Sequence, residues 1–473
     1  MADKDAVSDV GASPRASEDA DHGLRPRCPR GEGKPGGRNR GRLVLTAGIA
    51  STGLLSFLYL ALASHELSAT DYGHVSLLWS IAFVILSVIY RPIEQLLSRT
   101  IADRRARGLE GHPLRTPALI QAAFALVFLV VALALRTTIE DDLFGGSSSL
   151  YWILVVAVLA YAGSYFARGW LAGHERFAGY GGLVLLESTS RFLFAVAAVL
   201  GITSGQTAIA VGIAVAPFVS MVVVPFAIAR LARGGEDPLP GAPDVAVLDA
   251  AGEGPAHAEI EEASADLSLR HGTGFAIAVF AIMLAEQTLM NASVLIVEHT
   301  SGPELAGFVF NVLLIVRAPL QLFQAVQTSI LPHLTALDAR ENTEAFARAI
   351  RVTVLAIAGF AGACALALLA VGPWAMELLL GDKGFSYERG GLALVALGMG
   401  FHLVAGTLNQ AALARRRAPL AAVAWLVSAG LFVAWVASPI VADEVLRVEV
   451  GYFGAAMILS ALLFGLYRRP AET

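Results

Sequence analysis

Two cysteines in 473 residues leave no disulfide framework and no cysteine metal site, since Cys28 stands in a polar N-terminal tail and Cys364 inside an apolar stretch. Charge is scarce as well: Asp, Glu, Lys and Arg make up 15% of the chain, too little to solvate the surface of a soluble protein of this size. Absent too are a Walker-type phosphate loop, an HExxH pair, a dinucleotide-binding glycine fingerprint and any polar region large enough for a soluble catalytic domain. Energy from ATP hydrolysis would need another chain. No catalytic residue, metal or cofactor is expected, and nothing points to nucleic acid.

What the sequence has in abundance is apolar length. Hydrophobic residues are 56% of the chain, gathered into twelve stretches at 43–63, 74–95, 116–135, 150–172, 181–201, 207–229, 273–297, 306–331, 350–373, 390–413, 419–441 and 449–467. About 20 residues of helix cross the roughly 30 Å of bilayer hydrocarbon. Backbone polar groups in lipid must bond internally, so every span is read as a helix and the fold class as all-α, polytopic. The expected organisation is a disordered tail 1–42, a six-helix lobe 43–229, a linker 230–272, a second six-helix lobe 273–467 and a short tail 468–473.

Lys and Arg are unevenly shared between the two sides of these spans. The N-terminal tail and the connections on its side hold 26, the opposite connections four: Arg136, Lys383, Arg389 and Arg447. By the positive-inside rule both termini are expected in the cytoplasm of a multi-pass plasma-membrane protein. The linker carries nine carboxylates between Glu236 and Asp266, and with its scattered Pro and Gly it reads as a flexible acidic tether.

The halves share a spacing. LSATDYG ends at Gly73 and its span runs 26 residues to Arg99; SGPELAG ends at Gly307 and its span runs 26 residues to His333. A competing alignment of Arg91 with Arg317 breaks that spacing. With an even number of spans per half, the repeats would be parallel, about an axis normal to the membrane.

Polar residues within spans are costly and mark wet cavities or protein interiors. Ser80, Ser87, Arg91, Glu94 and Ser98 fall on one helical face of the second span; Arg317, Gln321, Gln324 and Thr328 form a stripe on the eighth; Gln287, Asn291 and Glu298, flanked by Glu286, form another on the seventh. The tenth span adds His402, Asn409 and Gln410. Several have structural readings. Glu187 with Arg191 is an i,i+4 ion pair, Arg91 with Glu94 an i,i+3 pair able to snorkel, Arg168 a topology anchor, and His402 an interhelical hydrogen-bonding residue in preference to a proton relay. Arg317 lies about ten residues inside its span with no carboxylate at i±3 or i±4. Glu286 is either its partner across the helix interface or a cation site.

The turn LSATDYG, the run YRPIEQLLSRTIADRRARG, the segment ARGWLAGHERFAGYGGLVLLESTSR and the stretch NVLLIVRAPLQLFQAVQTSILPHL together resemble the multidrug, oligosaccharidyl-lipid and polysaccharide exporter superfamily, and within it the polysaccharide biosynthesis proteins that act as oligosaccharide flippases. The resemblance covers residues 43–467. It implies two lobes in a V, a central cavity, and alternating access that moves a polyprenyl-linked glycan to the outer leaflet. The sequence departs from the lipid II flippases, which resemble 14-helix proteins with arginines in the first helix, for the first span here has no charge after Arg42. A cation-coupled multidrug antiporter is the alternative, with Glu286 as the acid for a proton or sodium ion.

A flippase needs a cationic spot for a pyrophosphate, a polar surface for sugars and an apolar opening for a lipid tail. Arg91 and Arg317 are the candidates for the first, Gln287, Asn291, Gln321 and Gln324 for the second, and the Leu/Val/Ala-rich helix faces, against membrane lipid, for the third. A membrane glycosyltransferase would bring a large acidic outer loop, whereas the longest outer connection here is about 16 residues. The charge asymmetry generates a first prediction. A cysteine placed at Gly254 should escape a membrane-impermeant thiol reagent added to intact cells, and one at Ser147 should react; the reverse pattern would invert the topology.

Overall fold

The computed structural model describes residues 36–106, 114–174, 176–225, 255–317, 319–320, 343–382, 384–415 and 417–468. Among them there are helices and no strands. In chain order the helices are α1 (Gly36–Glu66), α2 (Ala69–Ile85), α3 (Arg91–Ala106), α4 (Arg115–Ala134), α5 (Ser148–Gly173), α6 (Phe177–Val199), α7 (Gly205–Met221), α8 (Pro255–Ser301), α9 (303–317), α10 (Thr343–Leu380), α11 (Arg389–Ala414), α12 (Ala418–Ala437) and α13 (Glu444–Arg468). Ten stretches of these are long and apolar enough to cross a membrane. The first expected span lies within α1, and the eighth is described only as far as 320.

Two bundles are evident, α1–α7 and α8–α13, and their internal packing repeats. The pairs α1 with α6, α4 with α5, α5 with α7 and α6 with α7 have counterparts in α8 with α12, α10 with α11, α11 with α13 and α12 with α13. Burial repeats in parallel. Only 17% of the apolar stretch of α4 and 17% of that of α10 lie inside the protein, against 72% for α5 and 78% for α11. α4 and α10 are therefore the peripheral helices, and Leu119, Leu126, Val127, Leu355 and Leu366 on them are exposed as lipid-facing residues would be. Equal roles at equal positions are what a parallel repeat requires.

Local chemistry explains the breaks. Gly302 ends α8 with φ 90°, and Pro303, whose fixed φ suits a first turn, starts α9. Ser68 caps α2 by accepting the Asp71 N–H at 3.1 Å. Between α2 and α3 the helix widens into one π turn, Leu86–Tyr90, just before Pro92, which has no N–H to return to the carbonyl of Val88. Gly169 and Gly173, one GxxxG step, bring α5 onto α3, where a Cβ would come 2.8 Å from the Glu94 carbonyl and 2.7 Å from Ile101.

Two expectations change. Residues 255–272, read as part of a loose tether, are the first turns of the 47-residue α8; between Ala256 and His271 the sequence has no Gly or Pro and is rich in Ala, Glu and Leu, strong helix formers that extend a helix already fixed by the membrane. Residues 36–42, placed in a disordered tail, are likewise the start of α1. Residues 1–35 and 230–254 lie outside the described residues.

The bundles meet at the end that carries the 67–68, 302 and 381–388 connections. There Gly73 and Gly307 touch: a Cβ on Gly307 would stand 3.1 Å from the Cα of Gly73, and one on Gly73 would run into the Pro303 carbonyl. Thr70 donates to Glu304 at 2.7 Å across the same seam. Both pairs are 234 residues apart, the repeat offset, so the seam is self-complementary about the pseudo-axis. Gly73→Leu is expected to prise this end open. Spin labels at the exposed positions Glu66 and Asp382, in a cysteine-free background, should move to longer separations; an unchanged distance distribution would show that the backbone contact does not hold the lobes.

Candidate functional site

Just below that seam, Arg317 of α9 leans onto α8. One terminal nitrogen donates to the Met290 carbonyl at 2.8 Å and to Asn291 Oδ1 at 3.0 Å, and the guanidinium lies over the Phe310 ring at 4.3 Å. Asn291 in turn donates to Gln287 Oε1 at 3.2 Å. Three of the residues singled out in the sequence, Arg317, Asn291 and Gln287, are thus one hydrogen-bonded chain. Arg317 Nε is buried with no hydrogen-bond partner, so part of its five-donor fork is unused. Tyr72 of the other lobe is within electrostatic reach of it.

Glu286 does not pair with Arg317; no ion pair joins them among the described residues. The carboxylate sits four residues before Met290, about 6 Å along the helix axis from the carbonyl that engages Arg317. The cation acting on Glu286 is Arg91 of the N-terminal lobe. Arg91 is thus within electrostatic reach of Glu286 across the lobe boundary, where the π turn and α3 lie against α8. Gln321, Gln324 and Thr328 lie outside the described residues.

Asn311, which sequence reasoning passed over, stands at the centre of the closed end. Fully buried, it accepts from the Tyr72 hydroxyl at 2.5 Å and donates to Ser64 Oγ and Tyr387 Oη, both at 3.4 Å. Ser64 donates onward to the Leu380 carbonyl at 2.5 Å. One amide thus joins α1, α2, α9 and the 381–388 connection. Its signal in the sequence was an Asn alone in an apolar run, four residues after Gly307.

In the N-terminal lobe the ion pair differs from the one expected. Glu187 pairs with Arg168 of α5, not with Arg191, and also accepts from Ser164 at 2.7 Å and Ser220 at 3.4 Å. Arg191 instead donates to the Tyr161 hydroxyl at 2.6 Å and lies 5.2 Å from the Trp79 ring centroid. The Glu187 carboxylate points inward to α5, where desolvation is offset by three donors, so i,i+4 adjacency on α6 does not decide its partner. Arg168 is accordingly an interior residue and not a surface anchor. Glu94 accepts from Tyr180 at 2.8 Å, inside its own lobe, and Arg91 three residues earlier is within electrostatic reach of it as well as of Glu286. In the C-terminal lobe His402 shares a 3.1 Å hydrogen bond with Tyr452, and Asn409 accepts from Trp425 at 3.1 Å. These are interhelical bonds in a lipid-buried bundle.

The family model described as "Polysaccharide biosynthesis protein" matches residues 39–239. No curated protein matches the chain by sequence. Solved structures do. The eukaryotic MATE transporter AtDTX14 superposes with a TM-score of 0.61 at 11% identity, covering 91% of this chain and 95% of its own. A mutant of the Vibrio cholerae MATE transporter VcmN gives 0.59 at 12%, covering 91% and 96%. A multidrug resistance MATE transporter of the MOP superfamily, in an inward-facing conformation, gives 0.58 at 13%, covering 91% and 97%. At such identities the likeness speaks for the fold. The chain is a multi-pass membrane protein whose fold is that of the MATE transporters, and residues 39–239 in its N-terminal half match the model of the polysaccharide biosynthesis proteins.

Proposed function

We propose that the protein is a flippase that carries a polyprenyl-linked oligosaccharide or polysaccharide precursor from the cytoplasmic to the outer leaflet by alternating access. The match of the N-terminal lobe to the polysaccharide biosynthesis proteins carries this reading. The boundary between the lobes supplies the chemistry it asks for. Arg317 offers a buried guanidinium with an unused Nε donor, Asn291 and Gln287 extend a polar strip beside it, and Arg91 places a second cation opposite Glu286. A guanidinium fork suits the oxygens of a pyrophosphate. Nothing is made or broken in such a passage; the chain's residues bind, orient and release.

With both termini in the cytoplasm, the seam at Gly73 and Gly307 closes the outer face, and loading occurs from the cytoplasmic side. Glu286 and Arg91 are then the pair through which a proton or sodium ion would act, because a cation at Glu286 competes with Arg91 for the same carboxylate. The second reading, a cation-coupled multidrug antiporter, draws on the fold shared with the MATE transporters.

Arg317 separates the readings. If it holds a phosphate, its loss removes charge-assisted hydrogen bonds worth roughly 1.5–3 kcal/mol each, so substrate affinity should fall about tenfold or more. Flipping of a lipid-linked glycan in proteoliposomes should drop accordingly in Arg317→Gln and recover in part in Arg317→Lys, which keeps charge but loses the fork. The yield of folded protein and the thermal unfolding of Arg317→Gln control for a merely structural role, since a lost helix contact would lower both. Wild-type flipping by Arg317→Gln, or a loss of flipping matched by a loss of folded protein, would remove Arg317 from the substrate site.

A further inference from the structure

Beside the closed end, wholly within the C-terminal lobe, is a cavity of about 210 Å³ that the transport reading does not use. Its walls come from α9, the 381–388 connection and the start of α13. One side is aromatic: Phe308 lies 5.2 Å from Phe385 and 4.5 Å from Tyr387, centroid to centroid. The other is acidic, with Glu388, Asp443 and Glu444 nearer the rim and Glu449 deepest. Two of these acids are already engaged, for Glu444 pairs with Arg447 at 3.2 Å and accepts from Thr300 at 3.3 Å, and Asp443 caps the Leu446 N–H at 3.0 Å.

Glu449 is different. It is 98% buried, being 2% exposed, and lines the cavity with no hydrogen bond or ion pair among the described residues. The charged groups within reach of it are Asp443 and Glu388, both acidic. Its carboxylate rests on Gly391, where any Cβ would collide with it, so the backbone of α11 has been pared away to seat an acid there. A buried carboxylate with only acids around it calls for a cation.

We infer that this cavity binds an ammonium group, with Glu449 as its counter-ion and the Phe308, Phe385 and Tyr387 rings as its cation–π wall. Two features favour ammonium over a metal ion. One wall is the Phe308, Phe385 and Tyr387 rings, whose carbon faces offer an inorganic ion no oxygen, and no cluster of acids with metal-holding geometry occurs among the described residues. At about 210 Å³ the space is below the roughly 300 Å³ at which drug-sized ligands begin to fit. A small primary or quaternary ammonium suits it, free in solution or as the head group of a zwitterionic lipid. Because Tyr387 also receives the Asn311 amide at the lobe seam, occupancy of the cavity bears directly on the closed end.

The test uses the full chain in nanodiscs of phosphatidylglycerol, titrated calorimetrically with tetramethylammonium and with ethylammonium, in sodium buffer. Saturable binding of at least one is expected. Glu449→Gln, which removes the charge and keeps the shape, should weaken it at least tenfold, while Arg317→Gln, outside the cavity, should leave it unchanged whatever it does to flipping. If Glu449→Gln does not fold, Phe308→Leu keeps the test open, with a several-fold loss expected from the missing ring. Replacing the lipid by phosphatidylethanolamine identifies the source: a lower apparent affinity for the soluble probe marks the head group as occupant, and an unchanged one marks a free amine. Absence of saturable binding to the wild-type chain, displacement of the probe by sodium at equal concentration, or full binding by Glu449→Gln would overturn the assignment.

Discussion

The meeting of Gly73 and Gly307 sets the terms for the rest of the molecule. Two helices approach backbone to backbone there because neither has a side chain, and in a membrane such close packing replaces the hydrophobic drive available in water. Once the glycines meet, their neighbours are fixed by the same axis: Thr70 faces Glu304, Tyr72 reaches Asn311, and Ser64 reaches the end of α10. Below the glycines the contact continues along the second span, where α2, the π turn and α3 lie against α8.

Within each lobe the polar groups are used differently. The Glu187 carboxylate, held by Arg168, Ser164 and Ser220, is served by its own lobe, and a buried acid bonded in this way ties its helices together. Arg317 and Glu449 are incompletely served. One retains an unpartnered Nε, the other a carboxylate with no cation beside it. The contrast between the two buried carboxylates, Glu187 ringed by donors and Glu449 by acids, separates an acid that builds its lobe from one left over for something that comes and goes.

Much of the architecture was legible in the chain because lipid leaves few options: apolar runs of membrane length must be helices, and the register that sets Gly73 against Gly307 agrees with the packing the two lobes repeat, while His333 lies outside the described residues. Partners were less legible. Spacing along a helix says which residues are neighbours on its surface, but the partner of Glu187 came from α5 and the partners of Arg317 from α8, and no one-dimensional rule ranks a neighbour on the same helix against one across an interface. The helical stretch after Pro255 was missed for another reason. Acidic composition suggested a loose chain, while Ala and Glu in succession, joined to a membrane helix, prolong it.

The π turn at Leu86–Tyr90 divides the second span into two mechanical parts. A wide turn carries one residue more than an α turn, which rotates everything after it by up to about 100° relative to a regular helix. Ser80 and Arg91, spaced as if on one stripe, therefore point to different surroundings. The upper part of the span is bolted to the opposite lobe through Gly73, while Glu94 and Gly169 fasten the lower part to its own. The span works as a crankshaft between two frames, and its weakest torsional point is the turn above Pro92, where a main-chain hydrogen bond is already missing.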